Sequence, residues 1–162
     1  MSGAPPDAAA LEALRRGLDL SLDAEGRWWH EGEPFTHPGV TAAFDRGLDL
    51  HPVTHEPILR VGDQWCYVRC ADVPFVVRQW RVPSPEDPQL KAVLNTGATV
   101  AVDPRDGLTS DPSGHLYVLF GEHRRARVGR SAQAALAPWL VERDGVYGLE
   151  LPNGGPWRVT GR

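Results

Sequence analysis

The sequence predicts an α+β fold, built mainly of antiparallel β-hairpins curled around two short helices. Short stretches in which apolar and polar residues alternate recur along the 162 residues, and this is the periodicity of half-buried strands. The 17 glycines and 15 prolines exceed average usage and favour turns over long helices. Two amphipathic segments, VTAAFDRGL and AQAALAPWL, have the spacing of short helices.

The length is that of a single domain, since domains usually hold roughly 100–200 residues. Residues 1–17 form an N-terminal segment, in which Asp7 can accept a hydrogen bond from a free amide and cap a short helix. Leu11, Leu14 and Leu18 then share one face of that helix. Residues 18–162 form the α+β domain.

The first part of this domain is predicted as two hairpins with a helix between them. Residues 18–22 and the segment RWWH alternate as strands around the turn DAEG. Thr36 caps the following helix, in which Pro38 is tolerated because first-turn amides have no partner within the helix. Residues 58–61 and 65–70 form the second hairpin.

The second part is predicted to repeat this order. Pro104–Ser113 is a polar loop, and two strands follow it at residues 115–121 and 125–128. Ser131 caps a helix whose Leu136, Trp139 and Leu140 face the core, and Pro138 kinks that helix or delays its start. The remaining strands are predicted at residues 75–82, 91–102, 146–151 and 157–160.

The order of elements gives two weakly repeated β-β-α-β-β units, at residues 18–70 and 115–160. The two units correspond better in the order of their secondary-structure elements than in their amino-acid sequences. Both a duplication and the recurrence of a common α+β unit explain this pattern. Residues 103–113 are the expected seam, and each half is too small to bury a core alone.

Composition excludes several classes of function. The net charge of −4 disfavours nucleic-acid binding, which usually needs a basic surface. No stretch approaches the ~20 apolar residues of a membrane span, and the N-terminus lacks the pattern of a signal peptide. Cys66 and Cys70 are the only cysteines, too few for a disulfide scaffold, so we expect a cytoplasmic protein with reduced thiols.

No catalytic motif, metal site or cofactor site is expected. The sequence contains none of the patterns GxSxG, GxxxxGK[ST] or GxGxxG. His51 and His55 have the spacing of two metal ligands on a helix, but Pro52 and Pro57 prevent a regular helix there. On a strand, Cys66 and Cys70 are roughly 13 Å apart, too far for a disulfide or a shared ion.

One basic and one aromatic segment suggest a binding site. Along a strand, His123, Arg125 and Arg127 project to one face, and they lead to Ser131, where free helix amides can receive an anion. Trp29 and His30 are the expected wall of a ligand pocket. The alternative is that the arginines are solvated surface and the tryptophan belongs to a second, smaller core cluster.

Several segments resemble the bacterial family called domain of unknown function 1285, as a divergent member. They are DAEGRWWHEGEPFTHPGVTAAF, ADVPFVV, KAVLNTGATV, HLYVLFGEHRRARVGRSAQAALAPWLVE and GVYGLELPNGGPWRVTG. The resemblance covers about residues 18–160 in the order of the family, and it implies a two-repeat α+β arrangement. It implies no catalytic residues, because the family has no established activity.

We therefore expect a non-catalytic module that binds a small anionic ligand or a protein partner, with a regulatory or signalling role. The supporting observation is that aromatic and basic groups occur without a nucleophile–base–orienter set. The alternatives are an enzyme of unfamiliar design acting on a small anionic substrate through His30 and Glu31, and a purely structural interaction protein. The expected site consists of Trp29, His30, Arg125, Arg127 and Ser131.

Overall fold

The computed structural model describes residues 7–161. Its helices are α1 (Ala8–Gly17), α2 (Pro38–Gly47) and α3 (Arg130–Leu136). Its strands are β1 (Leu20–Leu22), β2 (Trp28–His30), β3 (Glu33–Pro34), β4 (Leu48–Leu50), β5 (Pro57–Val61), β6 (Gln64–Tyr67), β7 (Arg69–Cys70), β8 (Phe75–Arg81), β9 (Lys91–Leu94), β10 (Thr99–Ala101), β11 (Leu108–Ser110), β12 (Leu116–Phe120), β13 (Arg124–Val128), β14 (Leu140–Arg143), β15 (Val146–Leu149) and β16 (Trp157–Gly161).

The strands form three sheets, and the fold class is α+β as predicted. The spatial orders are β3-β2-β1-β7, β4-β5-β6 and β10-β9-β8-β13-β12-β11-β16-β15-β14. Neighbouring strands are mainly antiparallel, because most of them are joined by hairpins. Within the described residues, parallel pairing is confined to β1 with β7, β11 with β16, and β8 with β13.

Two units of the fold share one pattern of strand pairing. The first unit contains β1 to β7 with α2, and the second contains β11 to β16 with α3. In each unit, three strands form a meander, a helix follows, and three further strands form a second meander. The first strand of each unit then pairs in parallel with the last. The repeated element order is thus present in the structure, with three strands on each side of the helix.

The two units differ at their last strand. In the second unit, β16 pairs with both β15 and β11, so the sheet is continuous. In the first unit, the corresponding strand is divided at Val68 into β6 and β7. The buried Val68 donates its backbone N–H to the carbonyl oxygen of Pro57. The first unit therefore forms two small sheets where the second contributes to one large sheet.

The expected loop Pro104–Ser113 contains a strand, and this prediction was wrong. Leu108 and Thr109 in β11 are completely buried, between β12 on one side and β16 on the other. The polar and turn-forming residues around them gave no strand signal. Partners elsewhere in the chain determine the burial of this segment, and they place the start of the second unit at Leu108, not residue 115.

The predicted caps and extent of two helices need correction. α3 begins after Gly129, so Ser131 lies inside the helix and does not cap it. α3 ends at Leu136 because Pro138 lacks an N–H and the chain continues as a 3-10 turn. Trp139 and Leu140 are consequently 38% and 44% exposed, and not in the core. α2 is capped by the His37 imidazole, not by Thr36.

α1 packs on the first unit mainly through its basic residues. Asp7 caps it as predicted, accepting a hydrogen bond from the Ala10 amide at 2.7 Å. The Arg15 guanidinium lies 4.0 Å from the centroid of the Trp65 ring, and Arg16 forms two hydrogen bonds with Glu56. α1 buries none of its residues, so its predicted apolar stripe stays largely in solvent. Over residues 7–161, every helix falls short of the length and apolarity needed to cross a membrane.

Candidate functional site

A cleft of about 520 Å³ lies between the two units. The first unit contributes side chains from β4, β5 and the loop between them, and the second contributes β12, β13 and their turn. The chain between the units, which leads into β8, forms the floor. The lining residues are Leu50, His55, Pro57, Asp72, Val73, Pro74, Phe75, Leu119, Gly121, His123, Arg124 and Arg125. A cleft of this volume is in the range of small-molecule sites.

Arg125 is an arginine of the cleft lining whose guanidinium is only partly engaged by the rest of the protein. Its side chain is 41% exposed, and its guanidinium lies 4.7 Å from the centroid of the Tyr117 ring. The Asp72 carboxylate is 3.8 Å away, beyond the range of a hydrogen bond. Within residues 7–161, the Arg125 side chain has no hydrogen-bond partner. Its N–H donors are therefore held beside the cleft without an acceptor.

Asp72 already has two strong donors. Its Oδ2 atom accepts a hydrogen bond from the Tyr117 hydroxyl at 2.6 Å and another from Arg127 Nη1 at 3.1 Å. Burial and the hydrogen bond to Asp72 raise the pKa of Tyr117. Burial tends to lower the pKa of Arg127, but the Asp72 carboxylate outweighs it and the pKa is raised. We call Asp72, Tyr117 and Arg127 the triad. Both donors of the triad keep their protons at neutral pH, so their hydrogen bonds hold the Asp72 carboxylate in place near Arg125.

Arg124 is anchored across the two units. It donates a hydrogen bond to Asp49 Oδ1 at 2.8 Å, and its guanidinium lies 5.5 Å from the centroid of the Phe75 ring. Burial tends to raise the pKa of Asp49, but the hydrogen bonds from Arg124 and from the Leu50 amide outweigh it and lower the pKa. The carboxylate stays ionised, so this ion pair holds one wall of the cleft.

Two histidines stack where the units meet. The imidazoles of His55 and His123 have centroids 4.3 Å apart and planes inclined by 20°. Both residues have left-handed backbone, with φ of 60° and 58°, which is uncommon outside glycine. The turns therefore present the two rings to each other. His123 Nε2 also lies 3.6 Å from the carboxylate of the exposed Glu122.

The structure places the expected aromatic residues away from this cleft. Trp29 donates to Asp23 Oδ2 at 3.3 Å, and His30 is exposed with its ring 5.9 Å from that of Phe35. Both lie on β2, and neither lines the cleft. The neighbouring Trp28 is the core tryptophan of this pair, and its indole N–H donates to Asp45.

The expected basic residues are divided between different roles. Arg125 and Arg127 project to one face of β13 and approach the same carboxylate of Asp72. Arg125 lines the cleft, whereas Arg127 does not and donates a hydrogen bond to Asp72. Ser131 is exposed on α3, outside the cleft lining, and the first amide of that helix, at Arg130, donates to Glu25 Oε2 at 3.2 Å.

The histidine, cysteine and acidic residues that could ligate a metal ion are scattered over the described part of the structure. In the part of the chain that is described, no three histidine, cysteine or acidic side chains are grouped as ligands of an ion. His51 Nδ1 instead accepts hydrogen bonds from the amides of Val53 and Thr54 and so stabilises its own turn. Cys66 and Cys70 are free thiols, and burial together with the nearby Asp72 raises the pKa of Cys70 to about 12.

Four titratable residues of the cleft were not part of the expected site: His55, Asp72, His123 and Arg124. Arg124 is out of phase with Arg125 along the strand, so alternation does not select it. His123 is in phase with Arg125 but lies in the turn before β13. His55 and Asp72 lie in connecting segments, where no periodicity applies. The proline-rich loop around His55 and the turn at His123 were the only available signals, and neither indicates that the two rings meet.

The fold and the cleft define a two-unit α+β protein with a basic, partly apolar cleft between its units. Two solved structures share this fold. A DUF1285 family protein from Silicibacter pomeroyi matches with a TM-score of 0.60 and 18% identity, over 87% of this chain and 80% of that one. A DUF1285 family protein from Shewanella baltica matches with a TM-score of 0.55 and 18% identity, over 75% of this chain and 91% of that one.

These matches confirm, at the level of the fold, the resemblance found in the sequence. A scan against protein-family models gives no match. A search of curated proteins gives none either.

Proposed function

We propose that this protein is a non-catalytic module that binds a small anionic ligand in the cleft between its units. Arg125 is the principal donor, and the side chains of Arg124, His55 and His123 add N–H groups around it. The single observation that carries the proposal is the Arg125 guanidinium, which faces the cleft without a hydrogen-bond acceptor within residues 7–161. Arginine suits carboxylate and phosphate because its planar fork can bind two oxygens at once.

The surrounding groups favour binding over catalysis. Among the twelve lining residues, all of which the structure describes, there is no serine, threonine, cysteine or lysine to act as a nucleophile. Asp72 is the only lining carboxylate, and it is engaged by Tyr117 and Arg127. A nucleophile–base pair of the kind that acyl or phosphoryl transfer needs is therefore missing from this cleft.

The position of the cleft supports a regulatory role, because a ligand there contacts both units at once. We further propose a cytoplasmic location, which the two free thiols support. Labelled protein found in a secreted or periplasmic fraction of the native cells contradicts that location.

The binding proposal is tested by calorimetric titration at low salt. The probes are inorganic phosphate, sulfate and unbranched carboxylates from acetate to octanoate. We expect saturable binding by at least one probe, weakened about 10- to 100-fold in Arg125→Ala, since a hydrogen bond to a charged group contributes about 1.5–3 kcal/mol. Arg105→Ala is the matched control, because Arg105 is exposed and outside the cleft lining.

Two results contradict the proposal. One is the absence of binding by every probe at millimolar concentration. The other is equal weakening in Arg125→Ala and Arg105→Ala, which indicates a general effect of surface charge and no specific site.

A further inference from the structure

The cleft has an apolar side as well as a basic side. Half of its lining residues are apolar: Leu50, Pro57, Val73, Pro74, Phe75 and Leu119. A site for a fully polar metabolite needs hydrogen-bond partners around the whole ligand. These residues offer none from their side chains, so they indicate what kind of anion the cleft takes.

The apolar side is firmly held in place. Phe75 is buried, and its ring meets the ring of Phe120 edge to face at a centroid distance of 5.4 Å. Val73 is also buried. Leu50 and Leu119 are half-buried and present their remaining surface from opposite units. A ligand that covers Leu50 and Leu119 removes their apolar surface from water, which is favourable. The buried Phe75 and Val73 support this surface from the core.

The volume exceeds what an anionic group alone requires. About 520 Å³ corresponds to about seventeen water molecules at ~30 Å³ each. A single carboxylate or phosphate beside Arg125 occupies a small part of this space. The rest lies against the apolar residues, so an inorganic anion leaves that side covered only by water.

A sugar phosphate or another polyhydroxylated anion fits this side poorly. Among the lining side chains, Asp72, His55 and His123 can accept hydrogen bonds from hydroxyl groups, and Asp72 Oδ2 already accepts two, whereas the six apolar residues offer no side-chain acceptor. Hydroxyl groups placed against Phe75 and Leu119 lose their water without gaining partners, at a cost in free energy. The ligand body that matches these walls is apolar.

We propose that the ligand is a free amphipathic anion, with one carboxylate or phosphate group at Arg125 and an unhydroxylated apolar body against Phe75, Leu50 and Leu119. This inference rests on the proposed anion site and specifies its ligand class. Because the cleft is concave and bounded by both units, the ligand is a single dissolved molecule and not a lipid that remains in a bilayer.

The test measures how affinity depends on chain length. Acetate, butyrate, hexanoate and octanoate carry the same charge and differ only in apolar length. Complete burial of one methylene corresponds to about fourfold in Kd, and an open cleft buries each group in part. We therefore expect Kd to fall about two- to fourfold per methylene, and octyl phosphate to bind more tightly than inorganic phosphate.

Variants assign the effect to the two sides of the cleft. Arg125→Ala should weaken every member of the series by a similar factor. Leu119→Asn should cause a loss that grows with chain length, and Leu50→Asn provides the same measurement from the other unit if Leu119→Asn fails to fold. Val146→Asn is the control, because Val146 is an exposed apolar residue outside the cleft, and it should leave the series unchanged.

The outcomes separate this inference from the function on which it rests. Equal binding of acetate and octanoate, lost in Arg125→Ala, supports the anion site and overturns the amphipathic ligand. No binding by any member overturns both. Sedimentation with vesicles that contain an anionic phospholipid tests the remaining point. Vesicle binding that depends on Arg125 overturns the assignment to a dissolved ligand, and its absence supports it.

Discussion

Replacing Asp72 with alanine should destabilise the fold far more than removing an ordinary surface ion pair. The Asp72 and Arg127 side chains are only 17% and 15% exposed, and the change leaves both Arg127 and the Tyr117 hydroxyl without their acceptor. Each hydrogen bond to a charged group contributes about 1.5–3 kcal/mol. Partial access of water to the two donors reduces the loss, so we expect about 2–4 kcal/mol in the free energy of unfolding.

The assay is urea unfolding followed by tryptophan fluorescence, with thermal unfolding as a second measurement. For a protein of this size, about 1 kcal/mol shifts Tm by roughly 2–4 °C, so Asp72→Ala should melt roughly 4–16 °C below the wild type. Asp19→Ala is the matched control, because Asp19 forms an ion pair with the largely exposed Arg69. Exposed pairs contribute about 0–1 kcal/mol.

Equal losses in Asp72→Ala and Asp19→Ala contradict the argument, because they show that the triad contributes no more than a solvated pair. A double-mutant cycle with Tyr117→Phe measures the coupling directly. It should be at least 0.5 kcal/mol for groups in contact.

Three further predictions follow from burial and charge. Burial raises the pKa of Asp45, so the folded state loses stability as the pH rises through that pKa. In urea unfolding, Asp45→Asn should therefore add about 0.5–1 kcal/mol to the free energy of unfolding at pH 7 and nothing at pH 3. Burial also raises the pKa values of Cys66 and Cys70, so a chromogenic thiol reagent at pH 8 should modify both in denaturant and neither in the native protein. Trp157→Ala should cost roughly 3–5 kcal/mol, because Trp157 is 1% exposed, whereas Trp139→Ala should cost less than about 1 kcal/mol; similar unfolding midpoints for the two variants contradict this ranking.

Local signals in the sequence were sufficient for much of the fold. The Asp7 cap, the β5–β6 hairpin and the position of Pro38 at the start of α2 depend on neighbouring residues, and each was predicted correctly. The order of elements also predicted two similar units, each with a helix between groups of strands, although it gave two strands on each side of the helix instead of three. These features share one property, which is that the residues that cause them lie within a few positions of each other.

The errors have two causes, which are contacts between distant parts of the chain and a local interruption of a helix. β11 is a strand because β16 pairs beside it, about fifty residues later. Trp139 is exposed because Pro138 ends α3 one turn before the apolar stripe is complete. Helical periodicity does not weigh that interruption against the stripe.

The cleft between the units was hard to predict because its residues come from distant parts of the chain. Arg125 was identified from strand alternation, but its surroundings come from both units. The stacking of His55 on His123 joins residues 68 positions apart, and Arg124 meets Asp49 across 75. No pattern within a window of ordinary length contains both partners of such a contact.

The division of the last strand of the first unit at Val68 has a mechanical consequence. A continuous hydrogen-bonded strand such as β16 resists bending, whereas a strand that is divided between two sheets can bend at the division. The sheet β4-β5-β6 and its loop carry Leu50, His55 and Pro57. Val68 therefore joins this wall of the cleft to the sheet that contains β7. The opposite wall belongs to the nine-stranded sheet and is stiff. Relative movement of the two walls should therefore be concentrated in β4 and β5, and it must break the hydrogen bond from Arg124 to Asp49. We expect slower amide exchange in β12 and β13 than in β4 and β5.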